Sequence, residues 1–284
     1  MHARLARLGR LTLALATLLG ATTPVWADEQ DIRAEDNAVS LELGATNLDY
    51  AEHFGGATVD SEKGWIPTAT LGAGLLANDS AQGLLRNLYL HVDLTGSIGM
   101  TDYSGAACNA SGTCVPATTD TNDSIYATSL QIGRGIALNR QTMLIPYAEI
   151  DYRYWSRQVG GAGNSTETYT NWATLGGLMG QVSLAPRWVL SLAGAAGTTF
   201  GANMNDGYAN YGLGSAFIWD TKAKLGLRVA PRIELTGTID YSHFEYGRSS
   251  TVVEPSSAFC SSGCFEPHST TNQLTLMSGV AYQF

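Results

Sequence analysis

The residues that could act on a substrate are few. Asp240, Ser242 and His243 fall within four positions of one another in "IDYSHFEYG". An acid, a hydroxyl and an imidazole are the parts of a hydrolytic relay, in which the acid orients the ring and the ring takes a proton. His268 is a second candidate imidazole, and Asp120 with Asp123 a second acidic pair. The spacing works against all of them. In extended chain, residues an odd number apart point to opposite faces, so Asp240 and His243 diverge. Asp120 and Asp123 have no evident partner, and a lone loop histidine such as His268 reads as solvated. The four cysteines form two local pairs, "CNASGTC" (Cys108, Cys114) and "CSSGC" (Cys260, Cys264). Each encloses a glycine, so disulfides Cys108–Cys114 and Cys260–Cys264 are expected, with a cross-link between the two loops as the alternative. No Cys-x-x-Cys spacing supports a zinc site, and neither metal nor cofactor is expected.

These residues must be positioned by strands, because alternation runs through the whole chain. In "LYLHVDLTGSIGM", Leu88, Leu90, Val92, Leu94, Ile98 and Met100 share one face, with Tyr89, His91, Asp93 and Thr95 on the other. Thirteen residues is long for a globular strand and suits a tilted strand that crosses a bilayer. The pattern recurs near Val39, Leu144, Leu213, Ile233 and Thr270. It predicts a single all-β domain, residues 28–284, folded as an antiparallel up-and-down barrel. Ten strands are expected, with eight or twelve as alternatives: 37–50, 64–78, 86–102, 124–138, 142–157, 168–184, 187–200, 208–228, 233–247 and 270–284. Short turns alternate with long loops at 51–63, 103–123, 158–167, 201–207 and 248–269, as in outer-membrane barrels.

With apolar faces toward lipid, the opposite faces line a lumen. They include Glu42, His91, Asp93, Glu149, Asp151, Arg153, Asp220, Lys222, Lys224, Arg228, Glu234 and Asp240. Charges there must pair or be hydrated, either as a structural polar core or along a narrow path for ions or small solutes. Aromatics at strand ends toward the long loops would form an interfacial girdle: Tyr50, Trp65, Tyr103, Tyr126, Trp155, Trp172, Phe200, Tyr208 and Tyr246, with Trp188 at the other boundary.

The two ends of the chain agree with export. Residues 1–27 carry three arginines, a short apolar run and a small residue at Ala27, the pattern of a cleaved signal peptide. Acidic side chains outnumber basic ones 25 to 16, for a net charge of −9, which argues against nucleic acid as partner. The last strand ends on Phe284, with Tyr282 and Val280 on the same face. It resembles the C-terminal assembly signal of bacterial outer-membrane barrel proteins. That resemblance implies an outer-membrane location, reached through the periplasm, with lipid, lipopolysaccharide and the assembly machinery as partners. Ten strands are also similar to the omptin surface proteases, but their acidic pair facing an Asp-His pair finds no match here, since Asp240 and His243 point apart. The leading expectation is a non-enzymatic surface barrel with disulfide-stapled outer loops. A small channel and a rim-located omptin- or lipase-like hydrolase are the alternatives. An extracellular ligand would meet loops 103–123 and 248–269.

Overall fold

The computed structural model describes residues 29–78, 80–108, 114–160, 165–254 and 260–284. The expected signal peptide, 1–27, lies outside the described residues. The described residues open with a short helix, α1 (Glu29–Asp36). Twelve strand segments follow: β1 (Ala38–Phe54), β2 (Ala57–Leu76), β3 (Leu88–Cys108), β4 (Cys114–Arg134), β5 (Ile136–Asn139), β6 (Thr142–Val159), β7 (Ser165–Ala185), β8 (Trp188–Asn205), β9 (Asn210–Gly212), β10 (Phe217–Ala230), β11 (Ile233–Tyr246) and β12 (His268–Gln283). They occupy ten positions in one closed antiparallel barrel. β5 continues the wall of β4 past Gly135 and pairs with β6, and β9 is a short piece beside β8. The barrel closes because β12 pairs with β1 over the full length of both, from Ala38 opposite Gln283 to His53 opposite His268. Closure leaves no edge of unpaired peptide groups, which a strand in hydrocarbon cannot tolerate.

The alternation sorts the side chains as the pleat requires. Leu41, Leu43, Leu71, Leu94, Leu130, Leu192, Leu235, Ile239, Leu276 and Val280 are all exposed on the outer surface. A continuous apolar belt of this kind is stable only against lipid. Phe284 and Tyr282 belong to the belt, whereas Gln283 and Ala281 are buried.

The long loops expected from sequence are mostly strand. The segment 51–63 is a hairpin turning on Gly55 and Gly56, whose φ values of 60° and 84° suit glycine. The segment 103–123 is β-ladder as far as Cys108 opposite Cys114; the side chains of that expected disulfide pair lie outside the described residues. The span 208–228 is broken at 213–216, and among the described residues 247–254 and 260–267 remain a long irregular connection. Ladders continue outside the belt because polar strands there still gain their hydrogen bonds while both faces meet water or the barrel mouth.

The aromatic girdle also needs correction. Trp65, Tyr126, Trp172, Phe200 and Tyr208 are exposed, and Trp188 is half-buried at the start of β8. Tyr50, Tyr103, Trp155 and Tyr246 instead turn inward and are buried. Parity is the reason. Trp155 follows Glu149, Asp151 and Arg153 on the inner face of β6, and Tyr103 follows His91 and Asp93 on that of β3.

Belt depth sets the cost of a misplaced charge. Leu94→Arg, within the belt, should lower unfolding free energy in lipid vesicles by about 2–4 kcal/mol, while Asp102→Arg, outward but above the belt, should cost about 0–1 kcal/mol. Equal losses in urea titrations would overturn the assigned depth.

Candidate functional site

The interior carries the chemistry, in three levels. The outer level is built around Arg157 of β6, whose side chain is fully buried. Its Nη1 donates to Glu167 at 2.6 Å and to Tyr169 at 3.3 Å. Nη2 and Nε donate to Glu62 Oε1 at 2.8 and 3.1 Å. Glu52 and Asp60 lie at 3.4 and 3.7 Å. The guanidinium also faces the Tyr50 ring, 4.2 Å from its centroid. Around it, Tyr50, Trp155, Tyr169, Tyr246 and Phe244 pack edge to face or in tilted stacks at 5.2–5.7 Å. Asp123 accepts from Trp155 Nε1 at 2.8 Å and from Thr101 at 2.6 Å. Sequence reading left Asp123 without a partner in a loop; it faces inward on β4, and its partners come from β3 and β6.

Described residues 247–254 and 260–267 close this level from above. A disulfide joins Cys260 to Cys264, Tyr211 donates to Cys264 Sγ at 3.0 Å, and Phe265 packs on Phe54 at 5.4 Å, beneath the Arg248 guanidinium. Glu266 reaches in to accept from Tyr169 at 2.7 Å. Burial, then the nearby Glu52 and Glu167 carboxylates, push Glu266 up to about 9.

The middle level is a cavity of about 210 Å³. Asp93 is its hub, accepting from Lys222 at 3.3 Å and lying 3.1 Å from His91 Nε2. Lys222 also faces Asp240 at 3.5 Å. Glu149 accepts from Gln131 at 3.0 Å, Arg153 stacks on Phe244 at 3.6 Å, and Asp151 and Asp220 complete the charged lining. Glu42 also lines this cavity and accepts from Thr238 at 3.0 Å. The Tyr147 ring lies where a side chain at Gly177 would stand, 2.2 Å from the Cβ position, so glycine is required there.

The lower level is sealed by α1. Its Ile32 is fully buried, Asp31 pairs with Arg228, and Glu35 lies 3.5 Å from Lys224. Gln181 donates to Asp36 at 2.9 Å and Ser191 to Glu35 at 3.2 Å. Arg33 ties the helix to the β2–β3 connection through Ala77 O and Asn87 Oδ1. Glu234 accepts from Gln283 nearby at 2.6 Å.

The hydrolytic candidates are kept apart. Asp240 is held inside by Lys222, while His243 lies outside the wall, its Nδ1 2.8 Å from Asn272 Oδ1 and its Nε2 3.3 Å from Glu245. Ser242 faces in toward Gln273, and His268 shares Glu245 with His243. Inside, among the described residues, the His91–Asp93 pair has no hydroxyl or thiol partner in its hydrogen bonds, and Lys222 occupies the other Asp93 oxygen. Among the described residues, no group of His, Cys, Asp and Glu could hold a metal ion.

Glu52, Glu62 and Glu167 fall in segments expected as loops, and Glu266 lies in the expected loop 248–269, whereas Arg157 and Tyr169 fall inside expected strands 142–157 and 168–184 without being singled out. The parity of β6 already pointed Arg157 inward.

Arg157→Leu should destabilise the barrel by about 3–5 kcal/mol, because it strands buried carboxylates without a counter-charge. A loss under 1 kcal/mol in lipid would show that those carboxylates are already neutral.

No family model matches the chain, and no curated protein matches it. Solved structures do. The outer-membrane protease OmpT from Escherichia coli superposes with a TM-score of 0.57 at 11% identity, covering 88% of this chain and 97% of that one. Matches with lower scores include Neisserial surface protein A (TM-score 0.34, 11% identity, 87% and 97% covered). The translocator domain of the autotransporter NalP from Neisseria meningitidis is another (0.38, 11%, 99% and 96%). Closed wall, apolar belt and superposition agree: the chain folds as a bacterial outer-membrane β-barrel.

Proposed function

We propose that this protein is a non-enzymatic barrel of the outer membrane, exported through the periplasm, with a sealed lumen and a working surface in its outer loops. The observation that carries the reading is closure at both ends. Packed aromatics around Arg157 fill the outer level, and α1 fills the lower one. The charges between them are largely engaged with one another, as a structural polar core requires. The acid and imidazole groups that could do chemistry are bound elsewhere or face opposite sides of the wall.

The outer surface is then the part that meets other molecules. An extracellular ligand would bind at the 103–123 hairpin and the stapled 248–269 connection. Lipid and lipopolysaccharide surround the belt, and the β12 face ending in Val280, Tyr282 and Phe284 is what the assembly machinery would read. A second reading, a narrow path for ions or small solutes, is favoured by one feature: the 210 Å³ charged cavity.

Planar-bilayer recording of the refolded protein separates the two. Silence from a correctly folded barrel is expected. Steady openings whose conductance changes in Asp93→Asn or Lys222→Met would replace the sealed barrel with the channel.

A further inference from the structure

Helix α1 brings three acids to the lumen, and they are not alike. Asp31 has its cation, Arg228. Glu35 and Asp36 enter a second cavity of about 70 Å³ between the helix and the wall. They are only 5% and 7% exposed. Each has one satisfied oxygen: Glu35 Oε1 accepts from Ser191, and Asp36 Oδ1 from Gln181. Glu35 Oε2 and Asp36 Oδ2 are buried with no donor among the described residues, and so is Gln181 Oε1 in the same cavity. The cavity thus holds three acceptor atoms that none of its donors, Lys222 and Lys224 included, reaches. Ionised carboxylates cannot supply a donor, but protonated carboxyls can.

The surrounding charges point the same way. β10 contributes Lys222 and Lys224, β3 His91 and Tyr89, β1 Glu42, and β11 Glu234, while β7 and β8 offer only the neutral Gln181 and Ser191. Lys224 is shared among Glu35, Asp36, Glu42 and Glu234, so one ammonium serves four carboxyls. We propose that α1 is a proton-dependent latch on the periplasmic mouth of the lumen, seated while Glu35 and Asp36 carry protons and released as they ionise.

The direction follows from burial, which pushes Glu35 up from 4.5 to about 8 against the pull of Lys224. It also pushes Asp36 up from 3.8 to about 6 against the Gln181 hydrogen bond. A carboxyl whose pKa is higher in the seated helix binds protons more tightly there. Seating is therefore strongest below the ordinary carboxylate range and weakens as pH rises to the seated values. Between about pH 6 and 8, of the two helix carboxyls only Glu35 is still titrating, and the seating constant falls about tenfold per pH unit. Above about 8 it levels off.

Amide exchange of residues 29–37, read by mass spectrometry on the folded chain in vesicles and corrected for the intrinsic rate, tests this. Protection in the unaltered protein should fall about tenfold per unit between pH 6 and 8, while β1 and β12 stay protected. Glu35→Gln should abolish that slope, and Glu35→Gln with Asp36→Asn should hold the helix seated up to pH 9. Flat protection of α1 across this window in the unaltered protein overturns the latch, whether or not the variants fold. An unchanged slope in a folded Glu35→Gln barrel overturns it as well. The inference builds on the sealed-lumen reading, and the two fail separately: conductance tests the seal, and exchange tests the latch.

Discussion

A barrel whose outside is apolar must send its charges inward, into a space too narrow to hydrate them freely. Everything else in this molecule follows from that constraint. Burying one ion costs several kcal/mol unless opposite charge and hydrogen bonds surround it, and acids outnumber bases in this chain. Several inward cations are therefore shared. Arg157 serves Glu52, Glu62, Asp60 and Glu167. Lys222 serves Asp93 and Asp240, and Lys224 serves Glu35 across the helix boundary. These cations join distant strands: Lys222 of β10 reaches Asp93 on β3, across the lumen.

The same constraint explains the two closures. An open end would hydrate the charges and loosen their pairing. At the outer end the guanidinium of Arg157 is roofed by aromatic rings, which supply apolar bulk and a negative π-face together. The connection 247–267 adds Glu266 and a disulfide above them. At the other end α1 inserts Ile32 as a stopper and uses Asp31 and Arg33 as anchors. The stopper brings two further acids, Glu35 and Asp36, into a region already holding Glu42 and Glu234.

Much of the wall was legible. Period-two alternation is local: Leu94 and Asp93 take opposite faces whatever the neighbouring strands are, so belt and lumen could be assigned strand by strand. The errors came where a second signal was allowed to override it. Trp155 and Tyr103 were placed at the lipid interface because aromatics favour it, although parity put both inside. Strand ends were drawn where hydrophobicity stopped, at about 50, 64, 102 and 124, but a ladder needs only hydrogen bonds to continue. That error hid Glu52, Glu62 and the environment of Asp123. Helix α1, too short and polar to show a clear period, went unremarked.

The sequence by itself determined which way the residues of the clearly alternating strands face, such as Leu88–Met100 and Ile233–Tyr241, because the pleat of a strand depends only on chain geometry; where small residues blur the alternation, as in 64–78 or 187–200, it did not. It also determined that the acids and histidines near the outer rim do not converge, since Asp240 and His243 differ by an odd number of positions. Only the tertiary structure decided what the inward groups meet. Pairings such as Arg157 with Glu62, Lys222 with Asp93 or Lys224 with Glu35 join residues 95, 129 and 189 positions apart. They depend on strand order, shear and closure, which no local pattern encodes. The plug formed by α1 is of the same kind: its six polar residues and Ile32 become a stopper only when a barrel exists for them to enter.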